Sequence, residues 1–353
     1  MRAYDSATAA ATIATSPALP SPPTFRDVLS ARARIAPYLP RTPMFEYPAL
    51  AALLGARVFL KHENAHPTGA FKVRGGINFV SRLDDDARAR GVITYSTGNH
   101  GQSIAYAARL FGVPARIVMP EVSNPLKVAA LRGFGAEVVF HGAKFDDARR
   151  HAEHLARVHG YRLVGAANEP LLIAGVATEV LEMLEDQPDL DAIVVPVGGG
   201  SGAAGACLVT AAIAPGCEVI AVQSSSSPAA HDSWRARRCV ERDNTTSAEG
   251  LATGAGTDLP QRILRDHLSD FVLVEDDEIR DAVVWLLEKA HTLAEGAGAA
   301  SLAGAYKLRE RLQGKKVGVI CSGGNSSLEH LELALAHRMG HGLSLRRSEG
   351  VQT

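Results

Sequence analysis

Short apolar runs rich in β-branched residues recur along the chain, and each is followed by a longer amphipathic stretch rich in Ala and Leu. VITY at 92–95 precedes a helical pattern from His100 to Phe111. RIVM at 116–119 precedes one from Asn124 to Gly133, and EVVF at 137–140 one from Lys144 to His159. Apolar runs of about four to eight residues read as strands, and apolar residues recurring every three to four positions read as helices. Their alternation predicts βαβ units on a parallel sheet. The spacing then lengthens. Pro170 to Glu185 predicts one long helix, followed by AIVVPV at 192–197, a helix from Gly202, and CEVIAVQ at 217–223. Ser224 to Gly256 has no clean period and reads as loop, broken by a short helix over Ala229 to Val240. FVLV at 271–274, a helix from Asp276 to Ala290, another through Ala305, and VGVIC at 317–321 complete a second α/β set.

The expected fold class is therefore α/β, with two parallel-sheet lobes. The small lobe spans 91–167, and 24–90 joins 168–337 to make the large one. Residues 1–23, rich in Ala, Thr, Ser and Pro, are expected to form a disordered arm; they lack the basic start and apolar core of a signal peptide. Residues 338–353 read as a polar, frayed tail. The stretch 192–217 carries no charge and is long enough to cross a bilayer. Pro196 and Gly198-Gly199-Gly200 interrupt it, which predicts two buried elements around a glycine loop and no membrane span.

Composition narrows the function classes. The 353 residues amount to two domains' worth of chain. Lys and Arg number 37 against 38 Asp and Glu, and that balance argues against a general nucleic-acid binder, which carries a basic excess. Cys207, Cys217, Cys239 and Cys321 show no CxxC spacing, so neither a disulfide framework nor a structural zinc site is expected, and a cytoplasmic protein is. With 33 glycines and only 5% aromatics, backbone is expected to approach a ligand closely at several points.

Four loops carry the candidate chemistry. In Pro67-Thr68-Gly69-Ala70-Phe71-Lys72-Val73-Arg74-Gly75-Gly76, Lys72 follows an aromatic residue at the start of a helix. Desolvation and the positive helix end both disfavour its charge and favour a neutral, nucleophilic amine; the bland alternative is a solvated surface lysine. In Ser96-Thr97-Gly98-Asn99-His100, small hydroxyls and glycine crowd a helix entry, where N–H groups bind a carboxylate. Ordinary N-capping by Ser96 or Thr97, and a structural His100, are the competing readings. Gly198-Gly199-Gly200-Ser201-Gly202 leaves an apolar strand and enters a helix, a geometry that lets N–H groups converge on a phosphate. It lacks GxxxxGK[ST], and no acidic residue follows at the dinucleotide-binding distance, so a phosphate monoester fits better than a nucleotide. The fourth loop, Cys321-Ser322-Gly323-Gly324-Asn325, places the Ser322 hydroxyl at the carboxyl end of a strand, or simply makes a tight capping turn.

Together and in this order, PTGAFKVRGG, STGNHGQ, VGGGSGAAG and SGGN resemble the fold-type-II pyridoxal-phosphate enzymes, and most of all the serine/threonine dehydratase and serine racemase group, from about Phe25 to Ala336. The resemblance implies pyridoxal 5'-phosphate as cofactor, a tryptophan-synthase-β-like fold with the cofactor between the lobes, and a homodimer. It makes Lys72 the residue that holds the cofactor and takes the substrate α-proton, and Phe71 the aromatic beside its ring. Asn99 would bond its phenolic oxygen, and Gly198, Gly199, Gly200, Ser201 and Gly202 would form its phosphate cup. Ser322 would partner the ring nitrogen, and Glu295 would stand beside the cofactor. Ser96, Thr97, Gly98, Asn99 and His100 would grip the substrate carboxylate, with Thr97 also catalytic. A neutral hydroxyl at the ring nitrogen makes a weaker electron sink than a carboxylate and suits prompt loss of a β-hydroxyl better than transamination.

The implied reaction is dehydration and deamination of a β-hydroxy amino acid such as threonine, serine or a bulkier analogue, giving a 2-oxo acid and ammonia. The alternatives are a β-replacement synthase or racemase of the same fold, and a catalytically silent amino-acid-binding protein. Two departures from the group's pattern stand out. Thr97 replaces a serine, and its extra methyl crowds the face opposite Lys72. Gln223 stands where the group's divalent-cation site has a carboxylate, so no metal site is expected there.

Overall fold

The computed structural model describes residues 20–349, and residues 1–19 of the expected arm lie outside them. The strands are β1 (Met44–Glu46), β2 (Arg57–His62), β3 (Val92–Tyr95), β4 (Ala115–Met119), β5 (Glu137–Phe140), β6 (Arg162–Leu163), β7 (Ala192–Pro196), β8 (Glu218–Ser224), β9 (Asp270–Val274) and β10 (Lys316–Cys321). They form a six-stranded sheet in the order β1-β2-β10-β7-β8-β9 and a four-stranded sheet in the order β5-β4-β3-β6. Every neighbouring pair is parallel except β1 with β2. The last strand, β10, lies between β2 and β7. The order in which strands are added to the large sheet reverses there, while β2, β10 and β7 stay parallel, and loops leaving the carboxyl ends of such adjacent strands diverge to open a crevice. The loop after β7 is the glycine run, and the loop after β10 carries Ser322.

Both faces of the large sheet are covered, as parallel strands require. Alternate residues of each strand enter opposite cores. Leu60, Val194, Val222, Val274 and Val319 pack with the helices Asp276–Ala290 and Gly296–Lys307. Phe59, Ile193, Ala221 and Ile320 pack with Val180 and the Ala-rich helix Ser201–Ile213. A third core joins Val92, Ile104 and Ile117 of the small sheet region to Val73, Ile77 and Val80 of the helix Lys72–Val80 and to Ala31 and Ile35 of the helix Phe25–Ile35. Segment 24–90 therefore contributes to both sheets' cores.

Three expectations need correction. The stretch Pro170 to Glu185 is two helices, Pro170–Val176 and Thr178–Asp186. Thr178 Oγ1 donates to the Gly175 carbonyl at 2.7 Å, and Gly205 packs so closely that a Cβ there would lie 2.9 Å from Ala177 Cα. Of the tail expected over 338–353, residues 338–349 continue the helix Leu328–Glu349, and 350–353 lie outside the described residues. Finally, β1 adds an antiparallel edge to the large sheet.

Candidate active site

Lys72 opens the helix Lys72–Val80, and its loop is fastened to the loop after β10. Phe71 N–H donates to the Ser322 carbonyl at 3.0 Å, and Gly324 N–H donates to the Gly69 carbonyl at 2.9 Å. Ala70 and Gly323 pair as an antiparallel bridge between these bonds. Gly69 has φ +66°, which favours glycine, and a Cβ there would lie 2.5 Å from Asn325 Oδ1. Lys72 Nζ lies 5.0 Å from the Phe71 ring centroid and donates to Ser201 Oγ at 2.7 Å. Burial pushes the amine down to about 8, against the opposing charge of Glu179.

Ser201 is the first residue of the helix Ser201–Ile213, entered through Gly200 at φ +91°. The early N–H groups of a helix have no intrahelical partners and favour an anion. Side chains cannot enter this loop. A Cβ on Gly198 would lie 2.2 Å from the Gly250 carbonyl oxygen, one on Gly199 2.9 Å from Ala167 Cβ, and one on Gly202 3.2 Å from the Phe71 ring. Backbone therefore lines the cup beside the Lys72 amine, as a bound phosphate monoester requires.

Asn99 opens the helix Asn99–Leu110 of the small sheet region. Its Nδ2 donates to Glu295 Oε1 at 2.6 Å, and its Oδ1 accepts from Asn325 Nδ2 at 2.7 Å. Asn325 Nδ2 also donates to the Thr68 carbonyl at 2.8 Å. Burial pushes the Glu295 carboxyl up to about 7, against the Asn99 hydrogen bond. A Cβ on Gly323 would lie 2.4 Å from Glu295 Oε1, so only glycine fits between that carboxyl and the Lys72 loop.

The 96–100 loop divides its roles. Ser96 Oγ is buried and accepts from the N–H groups of Gly98 at 3.2 Å and Gly101 at 3.0 Å, so it satisfies a first-turn N–H of the helix although the N-cap position itself is Gly98. His100 is buried, with Nε2 at 3.1 Å from Thr94 Oγ1 and 3.2 Å from the Val164 carbonyl. Burial and the Lys72 charge push its pKa down to about 4, so the ring is neutral at pH 7 and bonded into the small sheet region. Thr97 and Gly98 are half-buried between these anchored residues. Ser322 is buried and donates to the Ala297 carbonyl at 3.4 Å. Gln223 is buried; its Oε1 accepts from His231 N–H at 3.0 Å, and its Nε2 lies 3.4 Å from Thr253 Oγ1.

Sequence reasoning assigned no role to a buried charge network beneath Lys72. Arg74 donates to Glu63 at 2.7 and 2.8 Å and to Glu182 at 2.7 and 2.8 Å. Lys61 Nζ donates to Glu182 at 2.7 Å, and His66 Nε2 lies 3.2 Å from Glu63. Burial alone would raise the Glu63 carboxyl, but the charges of Arg74 and His66 hold it well below the usual carboxylate range. Glu179, buried alongside, has an Oε2 with no hydrogen-bond partner, and burial with the Glu63 charge pushes its pKa well up. Arg74 was visible in FKVRGG, but nothing local showed that its partners come from the short turn Glu63–Ala65 after β2 and from the helix Thr178–Asp186.

Comparison with known proteins agrees with this geometry. The family described as pyridoxal-phosphate dependent enzyme matches residues 35–323. The L-threo-3-hydroxyaspartate ammonia-lyase of Saccharomyces cerevisiae is 38% identical over 308 residues, covering 87% of this chain and 94% of the relative. The L-threonine ammonia-lyase of Thermotoga maritima is 36% identical over 310 residues, covering 88% and 77%. Among solved structures, serine racemase from Dictyostelium discoideum superposes with a TM-score of 0.82 at 31% identity, covering 87% of this chain and 99% of the other. The lysine-and-glycine-cup geometry suits the same cofactor. The chain belongs to the pyridoxal-phosphate-dependent enzymes of fold type II, in the serine/threonine dehydratase group.

Proposed function

We propose that the protein is an ammonia-lyase that removes water and then ammonia from a β-hydroxy amino acid, releasing a 2-oxo acid. The observation that carries this reading is Lys72: a lysine with a lowered pKa, bonded to Ser201 at 2.7 Å, beside a glycine cup that no side chain can enter. Pyridoxal phosphate, when bound, supplies the electron sink for negative charge at the substrate α-carbon. Gly198 to Gly202 would hold its phosphate, Phe71 and Asn99 its ring, and Ser322 its ring nitrogen. The backbone of Thr97 to His100 would orient the substrate carboxylate, with the Thr97 hydroxyl facing it. Lys72 Nζ takes the α-proton, and the β-carbon loses hydroxide as the α,β double bond forms. Tautomerisation of the resulting enamine and addition of water then give the 2-oxo acid and free ammonia.

Relatives named for threonine and for threo-3-hydroxyaspartate support a β-hydroxy substrate. Among the described residues no helix is long and apolar enough to cross a membrane. We read the working form as a cytoplasmic homodimer on family resemblance, and equilibrium sedimentation tests the dimer. The chemical test is borohydride reduction of the cofactor-loaded protein followed by peptide mapping. The cofactor's mass should stay on the peptide containing Lys72. Its appearance on another lysine, or on none, would overturn the assignment.

A further inference from the structure

One ion pair spans the candidate site. Lys127, in the first turn of the helix Pro125–Gly133 of the small sheet region, bonds to Glu249, which begins the short turn Glu249–Leu251. That turn belongs to the wall of the site. Thr253 Oγ1 donates to the Gly198 carbonyl at 3.2 Å, and the Gly250 carbonyl blocks the space beside Gly198. A Cβ on Gly250 would lie 3.9 Å from Glu295 Oε1, the atom that accepts from Asn99. Lys127 and Glu249 are both close enough to act on the charge of Glu295.

The pair is lopsided. The Lys127 side chain is 15% exposed, whereas that of Glu249 is 48% exposed. The ammonium is the enclosed member, and the carboxylate reaches it from the solvent side. Glu249 is thus the member of the pair that can turn back into solvent. An enclosed ammonium that loses its partner needs another anion.

We propose that Lys127 is the residue that reads a second, distal carboxylate on the substrate, and that Glu249 holds its place until such a substrate arrives. The substrate class is then a β-hydroxy dicarboxylic amino acid of the 3-hydroxyaspartate type. Its α-carboxylate goes to the Thr97–His100 loop and its side-chain carboxylate to Lys127. This rests on the ammonia-lyase reading above and deepens it. Exchanging Glu249 for the substrate leaves the charge around Lys127 unchanged, whereas threonine or serine offers it nothing.

The test is the ratio of kcat/KM for 3-hydroxyaspartate to kcat/KM for threonine in three holoenzymes. A charge-assisted hydrogen bond contributes enough that Lys127→Met should lower this ratio by about tenfold or more. Glu249→Gln frees Lys127 from competition and should raise the ratio. A misfolded variant cannot produce that rise. Calorimetric titration of the same proteins with succinate and with butyrate gives a readout independent of turnover. Succinate should bind wild type more tightly than butyrate does, and Lys127→Met should erase the difference. Equal losses on both substrates in Lys127→Met, a lower ratio in Glu249→Gln, or wild-type turnover of threonine with none of 3-hydroxyaspartate would overturn the inference. If no 2-oxo acid forms from any β-hydroxy amino acid, the ammonia-lyase reading itself fails.

Discussion

Replacing Arg74 with Met tests how the reactive lysine is held. The guanidinium is buried and faces two carboxylates, with four donations of 2.7–2.8 Å to Glu63 and Glu182. Methionine fills much of the volume but leaves those carboxylates with less positive charge. Lys61 still bonds Glu182 at 2.7 Å, while Glu63 keeps Thr42 at 2.6 Å and His66 at 3.2 Å. Breaking a buried pair by removing one partner costs about 3–5 kcal/mol, and the remaining partners place this case near the lower end, about 3 kcal/mol. The pH dependence gives the sharper signature. In the wild type the depressed Glu63 contributes stability that is present above its unfolded pKa and lost as pH falls through its folded value. Without Arg74, burial raises the carboxyl instead, so the folded variant prefers the protonated form. Its deficit should therefore be full at pH 8 and shrink by about 1 kcal/mol or more at pH 5. Urea unfolding of both cofactor-free proteins at the two pH values measures this. A deficit under about 1 kcal/mol at pH 8, or one that grows on acidification, would refute the reasoning.

Other consequences follow from the same geometry. Gly198→Ala pushes a methyl to 2.2 Å from the Gly250 carbonyl oxygen, a strain of about 1–3 kcal/mol that should weaken cofactor affinity about 5- to 150-fold in a fluorescence titration; unchanged affinity would remove Gly198 from the cup. Glu295, raised to about 7, imposes a stability penalty that sets in as pH rises from its unfolded pKa towards 7 and stays constant above. The melting temperature of Glu295→Gln minus that of wild type should therefore be larger at pH 8 than at pH 5, and a flat difference would contradict the burial argument. In cofactor-free protein, trace acylation of Lys72 should rise through pH 8, where an ordinary lysine rises near 10.5; a midpoint near 10 would show a solvated amine.

The strands and most helices were legible because their apolar periods are clean. VITY, EVVF and the helix Asp276–Ala290 fall where the pattern places them. The strand β2, RVFLKH, is not legible locally, because Lys61 and His62 have the look of surface residues. Both are buried, and Lys61 is paired with Glu182 from a distant helix, a compensation that no local window contains. The site loops were legible as motifs because glycine, hydroxyl and lysine at fixed offsets report backbone approach. What the offsets could not show was division of labour. Ser96 spends its hydroxyl on the N–H groups of Gly98 and Gly101 and His100 its ring on the small sheet region, which leaves Thr97 and the loop backbone for a ligand. The Lys127–Glu249 pair joins residues 122 positions apart and had no sequence signal.

The most direct measurement of the central claim follows both products at once. Purified protein with pyridoxal phosphate, offered threonine, serine and 3-hydroxyaspartate in turn, should release 2-oxo acid and ammonia in equal amounts from at least one of them. Lys72→Ala should release neither while keeping the wild-type far-ultraviolet circular dichroism. A Lys72→Ala enzyme that still forms 2-oxo acid, or a wild type that returns only racemised amino acid with no ammonia, would contradict the account.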